Sequence, residues 1–144
     1  MKRTATTLLL LFVIVVGFAK SPKYVFYFIG DGMGFSHIAV TEGYKSILNG
    51  EKKSEPLLFT QFPVMGMATS YSASNIITCS SAAGTALSTG FKTNNGMLGV
   101  APDSSSLEAI SYKIHKAGYK VGIMSSVTID HATPGAFYAN SVKR

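Results

Sequence analysis

A single cysteine, Cys79, stands among the 144 residues. One thiol cannot close a disulfide within the chain, so no internal covalent staple supports the fold. As a nucleophile it would want a nearby histidine or other cation to favour the thiolate. No histidine lies near it in sequence, and a small buried residue is the expected role. Histidine is equally scarce: His37, His115 and His131 are the only three. His37 falls in the first turn of an expected helix and reads as solvent-facing or hydrogen-bonding. His115 falls in the last turn of another, where a cation meets a favourable dipole. Acidic residues number 7 against 13 lysines and arginines, for a formal charge of +6. The basic residues nevertheless form no cluster, because Lys52-Lys53 sits between Glu51 and Glu55, and Lys113 and Lys116 share an ordinary solvated helix face. That excludes a nucleic-acid patch and suits anionic substrates only weakly. Internal repeats, low-complexity tracts and interdomain linkers are absent, and the length fits one domain.

The longest apolar run, Thr7 to Phe18, is too short for a comfortable membrane span. With the basic start Met1-Lys2-Arg3 ahead of it and Gly17 and Ala19 at its end, it reads as a secretory signal peptide over residues 1–19, cleaved after Ala19. No cysteine follows the run, so a bacterial lipoprotein anchor is excluded. The expected product is exported, periplasmic or secreted, with no membrane attachment after cleavage. Loss of Lys2 and Arg3 lowers the charge of +6 by two.

Two stretches carry chemistry. Tyr24 to Ile29 is an apolar run that suits a buried parallel strand, and it ends in the glycine-flanked aspartate of Gly30-Asp31-Gly32-Met33-Gly34. The glycines let the backbone turn sharply and approach a ligand. Asp31 would lie at the carboxyl end of a strand, where open α/β sheets place ligands, and a carboxylate there is a natural ligand for a hard cation. The second stretch, Thr78 to Gly90, reads as a loop entering a helix of small residues. Ser80 lies at or near the helix start, where a serine caps well. Unpaired N–H groups and the helix dipole favour an anion at such a start, so a hydroxyl there could hold a phosphate or attack one. A capped, tightly packed alanine-rich helix accounts for the same residues.

The remaining elements follow in order. Ser36 to Leu48 has helical spacing and stops at Asn49-Gly50. Leu57 to Phe62 is a short apolar segment, Met65 to Tyr71 can make a strand, and Phe91 to Pro102 reads as an irregular surface segment. Leu107 to Ala117 is an amphipathic helix with Asp103 and Ser104 to Ser106 as candidate caps and Gly118 as its stop. Lys120 to Ser126 is a further buried strand. Thr133-Pro134 reads as an N-cap and first helical residue. The alternation predicts an α/β fold with a mostly parallel sheet and flanking helices. Asp31, Ser80 and Thr133 then each lie on a strand-to-helix loop, and a parallel sheet gathers such loops at one edge.

Four ordered motifs resemble the alkaline phosphatase family: Ile29 to Gly34, Thr78 to Gly90, Lys92 to Val100, and His131 to Ala136 running on to Arg144. The resemblance covers almost everything after the first twenty or so residues and implies a truncated alkaline-phosphatase-like fold, with residues 20–144 as the N-terminal part of the domain. It implies phosphomonoester hydrolysis through a phosphoserine intermediate, with Zn2+ and Mg2+ as cofactors. On the matching positions, Ser80 is the nucleophile and a zinc ligand, Asp31 bridges zinc and magnesium, Thr133 ligates magnesium, His131 stands near that magnesium without ligating it, and Arg144 binds phosphate through two guanidinium contacts. Zinc would lower the pKa of the serine hydroxyl and polarise the leaving oxygen.

Two departures from the family pattern bear on this. Many members carry an aspartate immediately before the nucleophile, where it helps orient the arginine; here that residue is Cys79. The family also completes its metal sites with downstream histidines, aspartates and a glutamate that these residues do not supply. The expected partners are small phosphate monoesters, and a homodimer of the full-length form is among those the resemblance allows. Residues 1–144 alone are expected to be inactive. The other readings are a truncated, non-enzymatic relic that at most binds phosphate weakly, and a related metal-dependent hydrolase of phosphodiesters or sulfate esters. The motifs around Ser80 and from His131 to Arg144 favour the monoesterase over the latter.

Overall fold

The computed structural model describes residues 22–144, which fall into two compact units, one ending at Gly30 and one running from Asp31 to Arg144. The expected signal peptide and its cleavage point at Ala19 lie outside the described residues.

Residues 22–30 carry no helix or strand. The rings of Phe26 and Phe28 stack at 6.4 Å between centroids, the i, i+2 relation that an extended backbone places on one side. The Lys23 ammonium sits 5.4 Å from the centre of the Tyr24 ring.

The second unit is helical and loop-rich. Helix α1, Phe35–Leu48, starts from Gly34, whose N–H donates to His37 Nδ1 at 3.1 Å. His37 is therefore the hydrogen-bonding histidine of the first turn that its position suggested. The helix ends at Asn49, and Gly50 follows at φ +68°, a left-handed turn open to glycine at no steric cost. Glu42 on α1 gathers the next segment. Its carboxylate accepts the Leu57 N–H at 2.9 Å and the hydroxyls of Thr60 at 3.1 Å and Ser54 at 3.2 Å. These bonds dock the short 3-10 turn Leu58–Gln61 on the helix.

The core is built from small side chains. Helix α2, Ser80–Thr89, packs against helix α3, Ile110–Lys116, and helix α4, Ala132–Gly135. Ala82, Ala109, Ala132 and Ala136 are buried, together with Leu98 and Val100. A Cβ on Gly84 would stand 3.0 Å from that of Ala136, so glycine there sets how closely α2 approaches the α4 segment. Thr85 is fully buried; its hydroxyl donates to the Ser81 carbonyl and accepts the Gly99 N–H, both at 2.8 Å. Among the described residues no buried side-chain nitrogen or oxygen lacks a hydrogen-bond partner, as a polar core requires.

Four sequence expectations change. First, the interior of the Phe91–Pro102 segment is core and not surface, since Thr93, Leu98, Gly99 and Val100 are buried. Leu98 exchanges main-chain hydrogen bonds with Ser141 at 2.9 and 2.8 Å, and Leu107 N–H donates to Gly99 O at 2.9 Å. Second, α3 starts at Ile110 instead of Leu107. The expected caps are used elsewhere: Asp103 Oδ1 accepts the Ser105 N–H at 2.9 Å and its hydroxyl at 2.6 Å, closing a turn of its own. Third, Thr133 is not an N-cap, because α4 begins two residues earlier than expected, at Ala132, with His131 in the cap position. Fourth, among the described residues the segments Tyr24–Ile29, Met65–Tyr71 and Lys120–Ser126 form no ladder. Strands are defined by their neighbours, and parallel pairing joins segments far apart in sequence. Here these apolar stretches stay largely solvent-facing, with Phe28 86%, Met67 96% and Met124 95% exposed.

Candidate active site

Asp31 opens the second unit and is followed by Gly32 at φ +67°, a backbone state that lets the chain turn between the carboxylate and α1. The first residue of α2 is Ser80, half-buried, with Cys79 in the cap position at φ −97° and ψ 167°. The cap side chain makes no capping bond, and Ser80 is not the cap that its residue type suggested. Its hydroxyl instead donates to Asp31 Oδ1 at 3.2 Å. The other carboxylate oxygen, Oδ2, accepts the Thr133 hydroxyl at 3.0 Å. One exposed carboxylate thus joins two hydroxyls that are far apart in sequence. Asp31 precedes α1, Ser80 opens α2 and Thr133 is the second residue of α4, whereas the sequence placed all three on strand-to-helix loops; no strand precedes them among the described residues.

The other two expected residues are not part of this cluster. His131 caps α4, its N–H donating to Thr128 O at 3.0 Å. The Arg144 main chain is held by a 3.0 Å bond from its N–H to Gly96 O. Asp130 sits below the ordinary carboxylate range, chiefly through the Thr128 hydroxyl and its own N–H, with smaller contributions from the charges of His131 and Arg144.

Cys79 is half-exposed, which corrects the buried role expected for it. Burial pushes its thiol up, but the Ser81 hydroxyl at 3.1 Å and the N–H groups of Ala82, Gly96 and Ser81 outweigh this and bring it down from 9.0 to about 7. Donors aimed at sulfur favour the thiolate.

Sequence reasoning missed Asn95. Its Oδ1 accepts the Cys79 N–H at 3.1 Å and its Nδ2 donates to the Ile77 carbonyl at 3.0 Å. Its own N–H donates to Ser74 Oγ at 3.0 Å. Nothing in residue type marks it out, because its partners near Ser80 are main-chain atoms.

The donor set can be matched to cations by its chemistry. A carboxylate with a neighbouring hydroxyl offers hard oxygens, which suit magnesium; that ion keeps several waters and accepts few protein ligands. Catalytic zinc takes about three protein ligands drawn from His, Cys, Asp or Glu. Among the described residues no group of three such side chains converges, so these residues fit magnesium in part and do not complete a zinc site.

A carboxylate hydrogen-bonded to a serine at a helix start is compatible with more than one class of hydrolase. The comparisons make the class specific. The alkaline phosphatase family model matches residues 22–144, and the chain belongs to the alkaline phosphatase family. Alkaline phosphatase 4 of Drosophila melanogaster is 32% identical over 136 residues, covering 88% of this chain and 23% of the relative. Alkaline phosphatase 4 of Bacillus subtilis is 35% identical over 120 residues, covering 81% of this chain and 25% of the relative. Among solved structures, the cold-active alkaline phosphatase of a psychrophilic Shewanella superposes with a TM-score of 0.73 at 31% identity, covering 80% of this chain and 29% of that one. A TAB5 alkaline phosphatase mutant with Mg bound in its M3 site superposes at 0.61 with 30% identity, covering 73% of this chain and 30% of that one. The fold is therefore alkaline-phosphatase-like, and the chain spans about a quarter of the length of the curated relatives it matches.

Proposed function

We propose that these residues form the nucleophile-bearing part of an exported phosphomonoesterase whose activity belongs to a polypeptide of the relatives' full length. The observation that carries this reading is the pair of hydrogen bonds from Ser80 and Thr133 to the two oxygens of Asp31.

Ser80 Oγ gives up its proton and attacks the phosphorus of a small phosphate monoester, the bond to the leaving oxygen breaks, that oxygen takes up a proton from solvent and departs as the alcohol, and the phosphoryl group rests on Ser80 until water releases it as phosphate. Splitting one hydrolysis into two transfers is covalent catalysis. Asp31 Oδ1 accepts the hydroxyl proton of Ser80 in its hydrogen bond, which turns the oxygen's lone pairs away from the carboxylate. The helix dipole at the α2 start favours the dianionic substrate. Arg144 binds phosphate oxygens with its planar guanidinium. Asp31 and Thr133 would contribute oxygens to magnesium, Asp31 and Ser80 to zinc, with His131 beside the magnesium as a non-ligand and the remaining ligands outside these residues. When bound, the metals would supply charge neutralisation at the attacking and leaving oxygens. The Mg-bound relative supports the magnesium assignment. In the full-length protein the three apolar segments that form no ladder here join a mostly parallel sheet. Small monoesters are the substrates, nucleic acid is not a partner, and a homodimer is compatible with the reading. The protein acts in the periplasm or outside the cell.

The test is turnover of a chromogenic phosphomonoester by the full-length protein. Ser80→Ala should lower kcat by roughly a thousand-fold or more, as loss of a covalent nucleophile does. Residues 1–144 alone should retain no zinc after dialysis and show no turnover beyond the Ser80→Ala control. Full activity in Ser80→Ala, or stoichiometric zinc on residues 1–144, would contradict the reading.

A further inference from the structure

We propose that Asn95 is a positioning residue for Ser80, acting through the main chain that carries the nucleophile. This rests on the reading of Ser80 given above.

The Cys79 N–H lies just outside α2, where a helix supplies no carbonyl to receive it. The Ile77 carbonyl two residues earlier lies on a segment without ladder pairing. Asn95 meets both needs with one planar group, accepting from Cys79 at 3.1 Å and donating to Ile77 at 3.0 Å. A C=O at position i and an N–H at i+2, read by one donor and one acceptor, is the pattern a neighbouring parallel strand would satisfy. Among the described residues, which hold no neighbouring strand, the carboxamide takes the place of one strand residue's N–H and C=O. Two further bonds lock this contact in register. The Asn95 N–H donates to Ser74 Oγ at 3.0 Å, and the Gly96 N–H donates to Cys79 Sγ at 3.3 Å. Downstream, α2 is secured by the bond from Ala83 N–H to Cys79 O at 2.9 Å. Cys79 is therefore held on its N–H, its carbonyl and its sulfur, and Ser80 is the next residue.

The chemistry of asparagine explains the residue type. Aspartate keeps the acceptor for Cys79 but sets a second acceptor against the Ile77 carbonyl. Leucine has the shape and neither function. In-line attack on phosphorus is sensitive to small displacements, and a misplacement of about 1 Å costs on the order of a hundred-fold in rate. Removing the clamp should therefore act on the rate of Ser80 phosphorylation, leaving substrate affinity close to its original value.

The experiment compares the full-length protein with Asn95→Leu, Asn95→Asp and Ser80→Ala. It uses amide hydrogen exchange at Cys79 and steady-state kinetics with a chromogenic phosphomonoester. In Asn95→Leu the Cys79 amide should exchange at least about ten-fold faster. The value of kcat should fall roughly ten- to a hundred-fold with KM within about two-fold. In Asn95→Asp the Cys79 amide should stay protected. An unchanged Cys79 amide in Asn95→Leu would overturn the proposal, as would faster exchange with unchanged kcat, or loss of kcat matched by a rise in KM. Should Asn95→Leu fail to fold, Asn95→Asp decides: loss of Cys79 protection there overturns the proposal, and retained protection with lowered kcat supports it. Full turnover by Ser80→Ala would remove the reading of Ser80, whereas the exchange result reports on the clamp whatever the nucleophile is.

Discussion

Thr133 donates its hydroxyl to Asp31 Oδ2 at 3.0 Å across 102 positions of sequence. Neither residue caps the helix beside it: Gly34 caps α1, and His131 occupies the cap position of α4. The contact brings the first functional segment of the second unit to the last, and Ser80 joins them on the other carboxylate oxygen.

Removing that hydroxyl should be measurable in residues 1–144 alone. Thr133→Val keeps the shape and loses the donor, so urea denaturation should show a loss of about 0.5–1.5 kcal/mol. Thr133→Ser should restore most of it. Equal stability of Thr133→Val and the parent would mean that the bond contributes nothing to the fold.

Gly99 sets the close approach of the core loop to the chain after α4. At φ +63° a side chain is strained, and a Cβ there would overlap the Ala139 carbonyl. Gly99→Ala should cost about 2–4 kcal/mol from backbone strain and overpacking together. Gly90 also has positive φ, at +82°, but a Cβ there meets nothing. Gly90→Ala should cost only about 1 kcal/mol. Similar midpoints for the two variants in denaturant would contradict the packing described around Gly99.

Cys79 gives a pH dependence with a defined sign. Its thiol is lowered from 9.0 to about 7, so the folded state holds the proton less tightly than the unfolded chain. The resulting stabilisation is fully present above pH 9.0 and is lost as pH falls through about 7,. Alkylation by iodoacetamide should be half-maximal near pH 7 in the folded protein and near pH 9 in urea. A folded-state midpoint near pH 9 would mean that the donors around sulfur do not act on it.

Much of this arrangement is legible in the sequence, because it rests on local signals. Asn49-Gly50 marks the end of α1, Gly118 follows α3 at φ +92°, and the run of small residues after Ser80 marks the helix that packs most closely. The sequence expected Asp31, Ser80 and Thr133 to meet at one edge of a parallel sheet; they meet through hydrogen bonds to Asp31, with no strand before any of them among the described residues. What was not legible depends on long-range main-chain contacts. The burial of Leu98 to Val100 comes from pairing with Ser141 and Ser106, and Asn95 acts on peptide groups that any residue could have supplied. Thr133-Pro134 carries the residue types of a cap and first turn, yet α4 starts two residues earlier, at Ala132, and leaves the threonine hydroxyl to Asp31. The apolar segments read as strands have the right composition, but composition does not provide the neighbours that a ladder needs.

The most direct test of the account is to mix the full-length protein with a labelled phosphomonoester, quench in acid and map the label by peptide sequencing. The expected result is stoichiometric phosphate on Ser80, abolished in Ser80→Ala and retained in Cys79→Ser. Label on any other residue, or label undiminished in Ser80→Ala, would contradict the assignment of Ser80 as the group that Asp31 holds ready for phosphoryl transfer.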